Sequence, residues 1–194
     1  MHTKDSYRGI SGFAELFVMH GHTRQSIGRR NCIVRTGMGV MARALAGNKW
    51  VNGMYLGYTN AAVATTPVGY DHTAGWFQST WNSSTRGFVR VPLAAQPSYA
   101  TSDATRYNEN QVTFTAISNS VVTIPVAGNE LQDNVSKYCM GGLCYLDPEG
   151  YSSDILFAGV AFEEPTGVDN FALTKIPNAQ VGMRWTITLT TNEA

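Results

Sequence analysis

With 194 residues, 43% of them hydrophobic and 11% aromatic, the chain is long enough to bury a core of its own as one domain. Charged residues make up only 14%, against ~25% in an average soluble domain, and 14 Lys plus Arg balance 14 Asp plus Glu, so no overall field recruits nucleic acid or an anionic membrane. No run approaches the ~20 apolar residues of a membrane span, and the polar start from Met1 to Asp5 lacks the apolar core of a signal peptide, so cytoplasmic synthesis is expected.

Residues 1–12 read as a polar arm preceding a single domain over 13–194. Phe13 to Met19 is short and apolar, as a buried strand requires, and the turn at Gly21 leads to a partner strand near Arg24 to Val34. The spacing of Met38, Met41 and Leu45 predicts one short helix near residues 36–46, with Thr36 as N-cap, Arg43 in the last turn and Gly47 as the stop. Gly37 and Gly39 weaken this helix, so packing must hold it.

Beyond residue 50 the period becomes two. Residues 60–85 read as a long loop carrying Trp76, Phe77 and Trp81, and residues 94–110 as a second one with Pro97, Tyr99 and Tyr107. Loops of this length usually bind something or wrap a neighbour. Their aromatic residues are therefore interface candidates, the alternative being that the tryptophans fold back over the edge of the sandwich.

Val89 and Val91 flank Arg90; Val112, Phe114 and Ala116 alternate with Thr113 and Thr115; and Val121 to Val126, with Pro125, suits an edge strand. Ile155 to Phe162 is apolar on both faces, as in a central strand. In Arg184 to Thr190, Trp185, Ile187 and Leu189 point one way and the threonines the other. The fold class expected is mainly β, an antiparallel β-sandwich or jelly roll with one short helix.

Charge is unevenly placed: residues 1–50 are basic and 127–164 acidic, so Arg29 and Arg30 join the interface candidates. For chemistry the chain offers little. There is no Gly-x-Ser-x-Gly elbow, no phosphate-binding glycine loop and no acidic partner in a motif with His2, His20, His22 or His72. His20 and His22 share a strand face, but no further ligand pattern makes a metal site of them. Cys139 and Cys144 lack a second cysteine pair and are expected as buried free thiols. The stretch Asp147 to Asp154 offers oxygen ligands for calcium, yet Asp147-Pro148-Glu149-Gly150 is a good β-turn without metal. Neither catalytic residues nor cofactors are expected.

Several separated pieces look familiar together. The run from Asn31 to Gly47, NCIVRTGMGVMARALAG, resembles the Asn-x-Ile-Val-x-x-Gly opening, with its helix, of many small tailed-bacteriophage virion proteins. Met54 to Tyr58, the Thr/Ala/Pro-rich stretch from Ala61 to Pro67, the elements beginning at Arg86 and Val112, Gly142-Leu143, the strand at Ile155, the segment at Lys175 and the closing strand at Trp185 follow in the order of that group. Where its members usually carry an acidic residue before Gly-Leu, this chain has Cys139, Met140 and Gly141. The resemblance implies a non-enzymatic structural protein of the virion. Within the virion, a capsid decoration (auxiliary head) protein that binds the major capsid protein is expected first. A tail, collar or baseplate component is the alternative, and a lectin-like glycan-binding module using Trp76, Trp81 and Tyr99 is a third reading. Self-association is expected, with a trimer as the first guess, and neither nucleic acid nor membrane is an expected partner.

Overall fold

The computed structural model describes residues 9–59, 68–81, 86–99, 111–118, 136–162, 173–175 and 179–189. In chain order they form β1 (Ile10–His20), β2 (Thr23–Arg30), β3 (Cys32–Ile33), α1 (Arg35–Leu45), β4 (Gly53–Thr59), α2 (Ala74–Thr80), β5 (Arg86–Pro92), β6 (Ser98–Tyr99), β7 (Gln111–Ser118), β8 (Ser136–Tyr145), β9 (Ile155–Ala161), β10 (Leu173–Lys175) and β11 (Gln180–Leu189). Sheet I has the order β2-β1-β11-β7-β6 and sheet II the order β3-β9-β8-β4-β5, with β10 also on β8. Every pairing is antiparallel, and the two sheets pack face to face as a β-sandwich.

The period-two pattern builds this directly. Ala14, Leu16 and Val18 of β1 and Val181, Met183, Trp185 and Ile187 of β11 meet Met54, Leu56, Tyr58, Leu143 and Val160 of sheet II in the central core. The hairpin β1-β2 closes through Gly21, at φ +58, with His20 opposite Thr23. On the outer face of sheet I two phenylalanine rings rest against glycines. A Cβ on Gly182 would come 2.5 Å from Phe17, and one on Gly28 would come 2.3 Å from Phe13.

Sheet II is buried on both faces, because residues 68–81 fold back over its outer side. Ala74, Phe77 and Trp81 form a second core there with Tyr55, Cys139, Met140, Cys144 and Leu156. This explains why β9 is apolar on both faces, with Leu156 in this second core and Phe157 and Val160 in the central one.

Several expectations need correction. The stretch read as a long loop over 60–85 contains α2, whose N-cap Thr73 accepts the Trp76 N–H at 3.2 Å. The second loop begins as ordered strand: Leu93 bridges Ala116, the Ala94 N–H donates to Thr115 O at 2.8 Å, and β6 pairs with β7, so 94–99 runs along the sheet. Ile10 to Gly12, read as the end of the polar arm, belong to β1, with Ile10 opposite Leu189. Thr36 does not cap α1. Val34 precedes the helix without a side-chain bond, and the Thr36 hydroxyl donates instead to Leu156 O at 2.6 Å, tying α1 to β9. Nor is Leu45 on the buried face, being 90% exposed; Gly37 and Val40 are the buried helix residues. The C-terminal stop is as read. Gly47, at φ +75, closes a Schellman motif in which Asn48 N–H donates to Arg43 O at 2.8 Å and Gly47 N–H to Ala44 O at 3.0 Å. Residues 100–110 and the expected edge strand at Val121 to Val126 lie outside the described residues.

Candidate functional site

Arg90 is a cation set between two buried valines in β5, so it needs a partner to remain in the fold. Asp154, immediately before β9, supplies it. The guanidinium grips the carboxylate with both arms, Nε to Oδ2 and Nη2 to Oδ1, each at 2.8 Å. Tyr55 donates its hydroxyl to Oδ2 at 2.5 Å and the Asp147 N–H donates to Oδ1 at 2.6 Å, so each carboxylate oxygen accepts two bonds. The Arg90 Nη2 reaches on to Asp147 O at 2.7 Å. From α2, Gln78 Nε2 donates both to the Tyr55 hydroxyl at 2.8 Å and to Tyr151 O at 2.6 Å.

The cluster therefore clamps the turn over 146–154 to β4, β5 and α2. Asn52 completes the clamp by presenting its side-chain amide to Leu146 as a strand partner would, with Nδ2 to Leu146 O at 2.9 Å and the Leu146 N–H to Oδ1 at 2.6 Å. Asp147 Oδ1 accepts the Glu149 N–H at 3.0 Å and Gly150 N–H returns to Asp147 O at 3.3 Å, which is the β-turn read from the sequence. The Asp154 oxygens offered to calcium in the alternative reading are taken up by Arg90, Tyr55 and Asp147. Burial pushes the Tyr55 hydroxyl far above its ordinary range, helped by Cys144 and by the bond to Asp154. Burial likewise raises the Cys144 thiol well above its usual value, so it stays protonated and unreactive. Among the described residues no group of three or more His, Cys, Asp or Glu could hold a metal ion, and the described cysteines are free thiols.

The interface candidates divide. Phe77 is fully buried and Trp81 is 2% exposed, both packed against sheet II, so neither is an anchor on the monomer surface or a stacking platform for a sugar. Trp81 does fold back, but onto the outer face of sheet II rather than over the sandwich edge of the alternative reading. Trp76 is half-buried, with its ring stacked on His72 at 3.7 Å. Arg30 is exposed and Arg29 half-buried, both on β2 at the edge of sheet I. Tyr99 lies in β6, and Tyr107 falls outside the described residues. His20 and His22 are exposed on either side of Gly21.

The surface that sequence reading missed is the outer face of sheet I. It is the one broad sheet face that no described element covers. Opposed residues place Arg30, Phe13, Thr186 and Thr113 in one row, and Gly28, Glu15, Arg184 and Thr115 in the next. Thr113 and Thr186 join hydroxyls at 3.2 Å, and Glu15 holds Arg24 at 2.8 Å and Arg184 at 3.8 Å. Phe13, backed by Gly28, leaves 49% of its surface in water. The threonine alternation in 184–190 was the available signal. Its meaning depended on knowing that sheet II had its own cover.

No protein-family model, no curated protein and no solved structure matches this chain.

Proposed function

We propose that this protein is a non-enzymatic structural component of a tailed-phage particle, placed on the outer shell of the head as a decoration subunit and docking through the outer face of sheet I. The observation that carries the docking face is its chemistry: threonine-rich, with a single exposed ring among the described residues, Phe13, and with Arg24, Glu15 and Arg184 tied together, which leaves Arg30 as the charge outside that network. Such a face loses little on desolvation and fits the flat surface of another protein better than a charged ligand. The ordered series of motifs shared with small virion proteins supports the particle, and the buried Arg90–Asp154 clamp supports a purely mechanical role for the most polar part of the interior.

The test is to mix the purified protein with empty phage heads and with detached tails. Saturation of heads at a fixed copy number, weakened at least tenfold by Phe13→Glu, is the expected result. Binding to tails alone moves the protein to the tail, collar or baseplate. Binding to neither overturns the particle reading.

A further inference from the structure

Strand β2 borders sheet I, and among the described residues it pairs on one side only, with β1. Which of its residues face outward follows from a single bond. Asn31 N–H donates to Gly12 O at 3.2 Å, so these two are a hydrogen-bonded pair, and every second residue before Asn31 turns its backbone towards β1. Arg24, Ser26, Gly28 and Arg30 therefore turn their N–H and C=O groups away from the sheet. Among the described residues nothing takes these groups up, and they form an open edge ready for another strand.

The side chains of the same four residues stand on the outer face of sheet I, opposite Met19, Phe17, Glu15 and Phe13. Charge on that face is unequal. Arg24, Arg30 and Arg184 share a single carboxylate, Glu15, which holds Arg24 at 2.8 Å and Arg184 at 3.8 Å. Among the described residues the face is thus short of two negative charges, and β2 has no acidic residue of its own. Arg24 and Arg30 are about 20 Å apart along the strand, with the half-buried Ile27 midway between them on the opposite face.

We propose that β2 is a docking edge for an extended acidic segment of a partner protein. That segment joins sheet I as a further strand, sets one carboxylate against Arg24 and another against Arg30, and lays an apolar side chain midway against Ile27. The pattern acidic-x-x-apolar-x-x-acidic reads the same in both directions, so it serves a parallel or an antiparallel strand. A second copy of β2 does not fit. Antiparallel pairing along its whole length sets Arg24 of each copy opposite Arg30 of the other, which places like charges face to face. The phosphate backbone of a nucleic acid would neutralise the arginines, but it offers acceptors only and leaves the four outward carbonyls unpaired. A strand satisfies both. The inference rests on the reading of sheet I as the docking side and extends it from the face to its border, but it is measured apart from particle binding.

The probe is the fluorescein-labelled peptide TETTVTTET, with TKTTVTTKT as its control, titrated with the full chain and followed by fluorescence anisotropy. Saturable binding of the acidic peptide alone is expected, weakened several-fold as salt rises from about 50 to about 500 mM. The double variant Arg24→Glu/Arg30→Glu should lose the acidic peptide at least tenfold and take the lysine peptide instead. Ser26→Pro is the sharper variant. The Ser26 N–H faces away from β1, so the substitution breaks no ladder bond and keeps the wild-type circular dichroism, yet peptide binding is lost. Should Ser26→Pro fail to fold, the charge swap decides alone. Hydrogen exchange reads the edge directly: the amides of Arg24, Ser26, Gly28 and Arg30 gain protection from the peptide, and those of Gln25 and Ile27 do not. No binding of TETTVTTET, equal binding of both peptides, wild-type binding by a folded Ser26→Pro, or tighter binding of a single-stranded DNA oligonucleotide overturns the proposal. Peptide binding on these terms by a protein that saturates neither heads nor tails keeps the edge and sinks the particle reading; a protein that saturates heads but takes no peptide does the reverse.

Discussion

Gly37 of α1 lies directly against the backbone carbonyl of Phe157 in β9, so close that a Cβ on Gly37 would stand 2.1 Å from that oxygen. The helix sits on sheet II through this contact, and Gly39, two residues on, has nothing within 4 Å of its Cβ position. The two glycines therefore respond in opposite directions. Gly37→Ala is expected to destabilise by about 2 kcal/mol through overpacking, lowering Tm by about 4 to 8 °C. Gly39→Ala is expected to stabilise by up to about 1 kcal/mol, the helix-propensity difference. Thermal melts of both variants check the pair, and a Gly37→Ala protein that melts at or above wild type would sink the contact.

Arg90→Met leaves the Asp154 carboxylate, with its side chain 0% exposed, without its counter-charge. Breaking a buried pair in this way costs about 3 kcal/mol, at the low end of the usual range because the Arg90 side chain is 31% exposed. Tyr55→Phe removes one bond to the same oxygen and costs about 1.5 kcal/mol. Since both act on one carboxylate, urea unfolding of the double variant should show a cost that departs from the sum by more than about 0.5 kcal/mol.

Phe77→Ala and Trp81→Ala should each cost about 3 to 5 kcal/mol, as deletions from a packed core do. Trp76→Ala, removing a half-buried ring stacked on His72, should cost well under that. Equal costs for all three would mean that the segment over 68–81 does not cover sheet II as described.

Acid and alkali act on different groups. His72 Nδ1 accepts the Gly69 N–H at 2.9 Å, and burial lowers its pKa below the ordinary 6.5, so folding favours the neutral ring. That share of stability is present above pH 6.5 and is lost as the pH falls through the lowered folded-state value. His72→Gln, which accepts the same bond without titrating, should flatten the acid limb of a Tm-against-pH profile. Tyr58 behaves oppositely: burial raises it from 10.0 to about 12, so its share is full below pH 10 and lost as the pH climbs towards 12. Tyr138, packed against it with ring centroids 5.8 Å apart, is pushed up further by burial and adds to the same alkaline loss. Tyr58→Phe should make the alkaline limb shallower.

The strands of sheet I were readable because one face is dry and the other wet, which is what alternation reports; the threonines of 184–190 gave β11 away. The segment over 68–81 was not readable in the same manner. Its helix is one of 7 residues, too short to show a period, and its aromatic side chains look alike whether they face a partner or the molecule's own sheet. The clamp was half legible. A lone arginine between Val89 and Val91 demands a counter-charge, but sequence cannot choose among the acidic residues, and Asp154 is 64 positions away. Thr36 shows the limit of a local rule: a residue suited to capping its own helix instead bonds a strand 120 positions distant.

The rings of Phe13 and Phe17 resting on glycines have a consequence for how the chain avoids misassembly. Inside-outside alternation rejects a one-residue slip between neighbouring strands, since every side chain would change faces, but it is blind to a slip of two. Sliding β1 by two along β11 would set Phe17 opposite Gln180 or Arg184 instead of Gly182, and the ring would have no bare backbone to lie on. Along β2, where Phe13 is opposed to Arg30 and reaches Gly28 diagonally, a slide of two in one direction likewise carries Phe13 away from Gly28. These aromatic-glycine pairs are thus a proofreading device for strand register, acting on the errors that the polar-apolar pattern lets through.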